Sequence, residues 1–199
     1  GILNDSTFYE KVKEIIIFET SNGGYTTISD YLDRNKEIVK DKVLYCADRE
    51  TQGSYVELCQ KEKLEVIYLQ SIIDTHLIQF LESKNTDVKY VSVDSDLSEF
   101  LVNNDEVSEV VDQDNQTVSD RLSTLFKDQL KVETLKVEVK SLKDETTPAL
   151  LVEAEHSKRM KQMSAMMTGG SEMKLPSDFT LVVNSTNPLV KNILSLSAD

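Results

Sequence analysis

Two cysteines are all the sulphur cross-linking chemistry that 199 residues offer, and Cys46 and Cys59 do not form a CxxC pair. They are expected to stay reduced and packed, Cys46 in a strand and Cys59 in a helix. Histidine is equally scarce. His76 and His156 stand far apart, and each lacks a second ligand three or four residues on, so no metal spacing exists. Cations are short: 22 Lys and Arg face 35 Asp and Glu, for a net charge of −13. Nucleic acid and anionic lipid draw most of their affinity from protein cations, so neither is expected as a partner, and proteins are. No apolar run approaches the roughly 18 residues needed to span a bilayer, and no signal peptide is recognisable, which places the chain in the cytoplasm. GxSxG and HExxH are absent, and the scattered acids pair with nothing in sequence, so no catalytic residue is assigned.

Methionine, in contrast, is concentrated. All five methionines fall between His156 and Met173. On a 3.6-residue helix Met160, Met163, Met166 and Met167 share an arc of about 120°, with Lys158, Lys161, Gln162, Ser164 and Ala165 off it. Gly169-Gly170 is expected to end this helix. An unbranched, polarizable surface of this kind can repack against many apolar partners. The other reading is the buried side of an ordinary core helix. Clustered methionine specifies packing poorly, and Arg159 lies on the same arc, where burial of its charge would be costly.

Taken in order, the spacing of Phe8, Val12, Ile15 and Ile16 predicts a helix over residues 6–19, then a loop at Thr20 to Tyr25 and a short helix from Ser29 to Lys36. Three β-branched runs follow, Val43 to Ala47, Glu65 to Leu69 and Val88 to Val93, separated by two helical segments. This alternation predicts a βαβαβ unit with parallel pairing. In its second helix Asp74 is placed to cap, Ile73 and Ile78 stand at staple spacing, and Leu77, Phe80 and Leu81 form the inner stripe. The turn after the first strand, Asp48 to Gly53, has one glycine and two acids and matches neither a dinucleotide fingerprint nor a Walker loop.

Asp94 to Gln116 carries eight acids and no Lys or Arg, and reads as a connector anchored by Phe100, Leu101 and Val102. Asp94-x-Asp96 and Asp112-x-Asp114 are fragments of a calcium loop without its glycine and glutamate, so a solvated linker is preferred. Thr117 and Asp120 have capping-box spacing ahead of an apolar stripe of Val118, Leu122, Leu125, Phe126 and Leu130. Strands are expected at Leu135 to Val139, Ala149 to Ala154 and Phe179 to Val183. Asn187-Pro188 opens a last helix, and the sequence is expected to continue past Asp199.

Gly1-Ile2 with Asp5-Ser6, Phe18-Glu19-Thr20, the run Ser29 to Lys36, Val43 to Asp48, Leu64 to Leu69 and Ile72-Ile73-Asp74 resemble, in order and spacing, the C-terminal half of bacterial heat-shock protein 90 chaperones. The resemblance covers essentially the whole chain. It implies a fold that is α/β plus α+β. Residues 1–97 would be the later part of a middle domain, a helical coil leading into the small three-stranded βαβαβ unit. Residues 98–199 would be an α+β C-terminal domain with a three-stranded sheet, the amphipathic methionine-rich helix and a dimer contact whose final helices lie beyond Asp199. ATP and magnesium belong to the full-length family, with their site preceding residue 1, so the resemblance implies no cofactor here and no enzyme activity. Its implied partners are non-native client proteins and, in the full-length protein, a second subunit. By position, the client-holding helix of the family is the methionine helix, with Met160, Met163, Met166 and Met167. A second client contact, where the family has an acid and an aromatic, falls on Thr75 and His76. Ile17 and Asn35 stand where the family usually has an arginine and a methionine. The alternative is a purely structural module whose methionine face packs internally, in which case the methionines would resist mild oxidation. An independent α/β enzyme would require a pocket that the sequence does not reveal.

Overall fold

A computed structural model describes residues 5–95, 98–103, 117–132, 134–167 and 178–196 of the chain. It is a mixed α and β protein with two sheets, and it divides into two compact units, Gly1–Val93 and Asp94–Asp199.

In the first unit, helix α1 (Ser6–Val12) starts where the Asp5 carboxylate accepts from the Phe8 N–H at 3.0 Å. The helix expected through residue 19 stops at Val12, passes through one 3₁₀ turn (Lys13–Ile15) and gives way to strand β1 (Phe18–Thr20). The run Ile15-Ile16-Ile17-Phe18 favours extended backbone, and β1 gains two ladders that a helix would forgo. It pairs antiparallel with β2 (Tyr25–Thr26) and with β4 (Ile67–Tyr68). The segment expected as a plain loop is therefore a hairpin, turned by Gly23 and Gly24 at φ of 85° and 80°.

Helix α2 (Ile28–Val39) begins at Thr27, whose side chain accepts from the Asp30 N–H. Strand β3 (Lys42–Cys46), helix α3 (Arg49–Lys61), β4, helix α4 (Ile72–Lys84) and strand β5 (Lys89–Ser92) follow in that order. β3 pairs parallel with both β4 and β5, and the hairpin widens the sheet to β2-β1-β4-β3-β5. Val43, Leu44, Val66, Ile67 and Val93 are buried in its core.

Asp74 does cap α4, but from inside the helix. Ser71 is the N-cap, and the Asp74 carboxylate accepts from the Gln70 and Ser71 N–H groups at 2.8 and 3.0 Å. That register moves Ile73 into the first turn, where it is 69% exposed, so it does not staple onto Ile78. Ile78 and Leu81 are buried, while Leu77 and Phe80 are half-buried.

Asn35 is buried. It donates to the Tyr31 carbonyl and to the Glu65 carboxylate, both at 2.7 Å. Arg34 reaches the other Glu65 oxygen at 2.9 Å, and the Tyr31 hydroxyl donates to the Glu65 carbonyl and accepts from the Leu44 N–H. A buried carboxylate with both oxygens bonded is tolerable; alone it would not be.

The second unit includes helix α5 (Ser98–Leu101), which buries Leu101, and Val102, which bridges to Leu142. Helix α6 (Val118–Leu130) has the expected capping box between Thr117 and Asp120. Strands β6 (Lys136–Lys140), β7 (Ala149–Glu153) and β8 (Phe179–Asn184) form a sheet in the order β6-β8-β7, with β6·β8 parallel and β7·β8 antiparallel. Helix α7 (Glu155–Met167) connects out of β7, and helix α8 (Pro188–Leu196) closes the described chain. Leu122, Val137, Val183 and Val190 form the core, with Val118, Phe126, Val139, Leu181 and Leu194 packed on it. The proposed helix stop at Gly169-Gly170, Asp112-x-Asp114 and most of the acidic connector lie outside the described residues.

Candidate functional site: the methionine helix

Strand β7 ends at Glu153, and the Ala154 N–H donates to the Asp178 carbonyl at 3.0 Å, joining the entry of α7 to the start of β8. From there the helix turns its charged side inward. Ser157 is buried and its hydroxyl accepts from the Asp178 N–H. The Lys158 ammonium pairs with Asp94, and its side chain is only 14% exposed. Arg159 pairs with Glu155 at 3.1 Å, one turn back on the same helix. Lys161 lies 2.6 Å from the Glu153 carboxylate and 5.2 Å from the centroid of the Phe179 ring.

The apolar side faces away. Met160 is 44% exposed and Met163 is 58% exposed. Met166 and Met167 end the helix, but their side chains lie outside the described residues. Arg159, which the spacing places on the methionine arc, keeps its charge half in solvent and bonded to Glu155, so no unpaired charge is buried there. Among the described residues Ser157 and Lys158 are therefore the turned-in side, Met160 and Met163 are exposed with His156, and Arg159 and Lys161 lie between them at 38% exposure. Such a helix can offer dispersion and desolvation to an apolar segment.

His76 belongs to the first unit. It lies half-buried in the second turn of α4 beside Thr75, with Ile73 one turn back and exposed. Ile73 is the apolar group that the sequence reading missed, because staple spacing assigned it inward. A helix start shifted from Asp74 to Ser71 was the signal that could have found it.

The turn after β3 was the one place where a parallel unit invited a phosphate. Its amides are already occupied. The Gln52 side-chain oxygen accepts from the Ala47 and Asp48 N–H groups at 2.7 and 3.0 Å, and its amide donates to the buried Ser92 hydroxyl at 2.9 Å. The Asp48 carboxylate caps α3 in addition, held below the usual carboxylate range by hydrogen bonds from Thr51 and from the Glu50 N–H. These residues do not fit a nucleotide phosphate with its magnesium, and no step through ATP is assigned to them.

A groove of about 390 Å³ in the first unit is lined by Tyr9, Ile16, Leu81 and Tyr90 with Lys13 and Lys84. Glu10 and Glu14 line it too; Lys13 is paired with Glu10 at 2.8 Å and Lys84 lies over the Phe80 ring. Among the described residues no three His, Cys, Asp or Glu side chains could hold a metal ion, and no helix is long and apolar enough to cross a membrane.

Known proteins give this scaffold a family. The Hsp90 protein family model matches residues 1–199. The chain is 30% identical over 205 residues to the chaperone protein HtpG of Bacteroides fragilis, covering 98% of this chain and 30% of that protein. It is likewise 30% identical over 204 residues to HtpG of Porphyromonas gingivalis, with the same coverage. A mitochondrial TNF receptor-associated protein 1 homolog of Dictyostelium discoideum is 26% identical over 206 residues, covering 98% of this chain and 28% of that protein. The chain belongs to the Hsp90 family. It spans about 30% of the length of the curated chaperones it matches.

Proposed function

We propose that this chain is the client-holding portion of an Hsp90-type chaperone. In this reading residues 1–97 serve as the later part of its middle domain and residues 98–199 as its C-terminal domain, within a homodimer acting in the cytoplasm. The methionine face of α7, with Met160, Met163, Met166 and Met167, holds exposed apolar segments of non-native proteins, and His76 with Ile73 offers a second apolar contact in the first unit. The family membership and the chaperone names of the bacterial relatives support the general activity. The specific site rests on one observation, that Met160 and Met163 stand exposed while the charged face of their helix is bonded inward.

Each of these half-exposed methionines, once covered by a client, contributes about 1 kcal/mol before ordering costs, so contacts are weak and reversible. Met160 and Met163 are about half exposed, so replacing both by serine should cost about 1–2 kcal/mol of folding stability and leave the chain folded. Suppression of client aggregation should fall by about tenfold or more in the chaperone concentration required. Full suppression by the double variant would refute the site. Loss of the fold would restore the reading in which the methionines are core.

A further inference from the structure

We propose that Lys161, seconded by Lys158, is a positioning residue: an electrostatic clasp that fixes the rotation of α7 so that its methionines face outward. This rests on the proposed client-holding role, which it deepens.

The geometry is a three-part seat. Glu153 and Phe179 are register partners at the edge of the antiparallel β7·β8 ladder, so their side chains share one face of the sheet. Lys161 descends onto both, its ammonium 2.6 Å from the carboxylate and 5.2 Å from the ring centroid. One cation therefore joins α7 to the last residue of the strand before it and the first residue of the strand after it. Phe179 is half-buried. Glu153 is buried, and on the same side of the helix Lys158 reaches Asp94 while Ser157 receives the Asp178 N–H.

At about 100° per residue, the centre of Ser157, Lys158 and Lys161 lies roughly 140° around the helix from the centre of Met160 and Met163. Apolar docking would turn the methionines toward the sheet. Ionic docking holds them away from it, and a cation–π contact adds a geometric constraint that a bare ion pair lacks. The helix is then ordered without using the apolar surface that clients need, which keeps the ordering cost of binding low. Because the attachment is ionic, it weakens with salt while the apolar face does not.

The test compares Lys161→Gln, Lys161→Arg and the exchange Glu153→Lys with Lys161→Glu in the full chain, reading three quantities. These are amide hydrogen exchange across residues 155–167, the sulfoxidation rates of Met160 and Met163, and affinity for a dye-labelled, uncharged leucine-rich peptide. Lys161→Gln should speed exchange in α7 by about three- to tenfold and weaken peptide binding, with the global melting temperature little changed. Lys161→Arg, which keeps both charge and ring contact, should restore wild-type exchange, and the exchanged pair should recover part of it. Raising salt should speed exchange in the wild type and not in Lys161→Gln. Unchanged exchange in Lys161→Gln, or no difference between Arg and Gln at this position, overturns the clasp. Faster exchange in a chain whose wild type binds no peptide leaves the clasp standing and overturns the client-holding role.

Discussion

Asn184 ends β8 with no exposed surface, and five hydrogen bonds converge on its side chain. Its oxygen accepts from the Leu142 N–H at 3.0 Å, the Thr186 N–H at 3.1 Å and the Thr186 hydroxyl at 2.6 Å. Its amide donates to the carbonyls of Asp144 and Thr147 at 3.0 and 2.8 Å. One residue thus ties the chain leaving β6, the loop before β7 and the turn into α8. Asn184→Ala removes all five and strands a buried N–H and two carbonyls. At about 1 kcal/mol net for each bond, with some relief from water entering, the cost is about 3–5 kcal/mol. A domain whose whole stability is about 5–15 kcal/mol cannot lose that quietly. Urea denaturation followed by far-ultraviolet circular dichroism should show the midpoint of the second unit falling accordingly. The seven tyrosines all lie in the first unit, so their emission follows that unit alone and serves as an internal reference. Asn187→Ala, which removes an N-cap accepting from the Leu189 and Val190 N–H groups and an amide bond to the Glu145 carbonyl at 2.7 Å, should cost less, about 2–3 kcal/mol. A loss below about 1 kcal/mol for Asn184→Ala, or a ranking that reverses the two, would refute the reasoning.

Two other expectations concern the first unit. Burial pushes the Cys59 thiol from 9.0 up to about 12, and it raises the phenols of Tyr31 and Tyr90 as well. Groups whose folded values are raised hold their stability below the unfolded value and lose it as pH climbs toward the folded one. Stability should therefore decline between pH 9.0 and about 12, by on the order of 1 kcal/mol per pH unit for the thiol. Tyr31 and Tyr90 should ionise, by tyrosinate absorbance, only as the unit unfolds; ordinary titration of all seven tyrosines in folded protein would contradict this. At the turn after β3, Gln52→Leu should destabilise by about 1–3 kcal/mol, because two part-buried amides and the buried Ser92 hydroxyl lose their partner. Gln52→Glu keeps both acceptor bonds and should cost clearly less in the same denaturation assay; equal losses would show that the amide plug is not what holds the turn.

Much of the architecture could be read before any coordinates because local chemistry and tertiary packing agreed. Thr117 and Asp120 predicted the cap of α6, Asn187-Pro188 predicted the start of α8, and the run Leu135 to Val139 predicted strand β6, since each signal depends on residues close in the chain. A helix over Glu155–Met167 was legible for the same reason, helical periodicity being local. What failed was whatever depended on a distant partner. Residues 13–19 had helical spacing, yet β1 formed because β2 and β4 supplied ladders that spacing cannot announce. Ile73 was assigned inward by a capping register that Ser71 shifted.

The sequence by itself determined that α7 would have two chemically different sides, because side-chain order around a helix follows from the backbone repeat alone. Only the tertiary structure decided which side faces out. Glu153 and Phe179 lie 26 residues apart in the chain and meet only across β7 and β8. Only after that ladder closes do they present the carboxylate and ring that receive Lys161 and leave Met160 and Met163 to solvent.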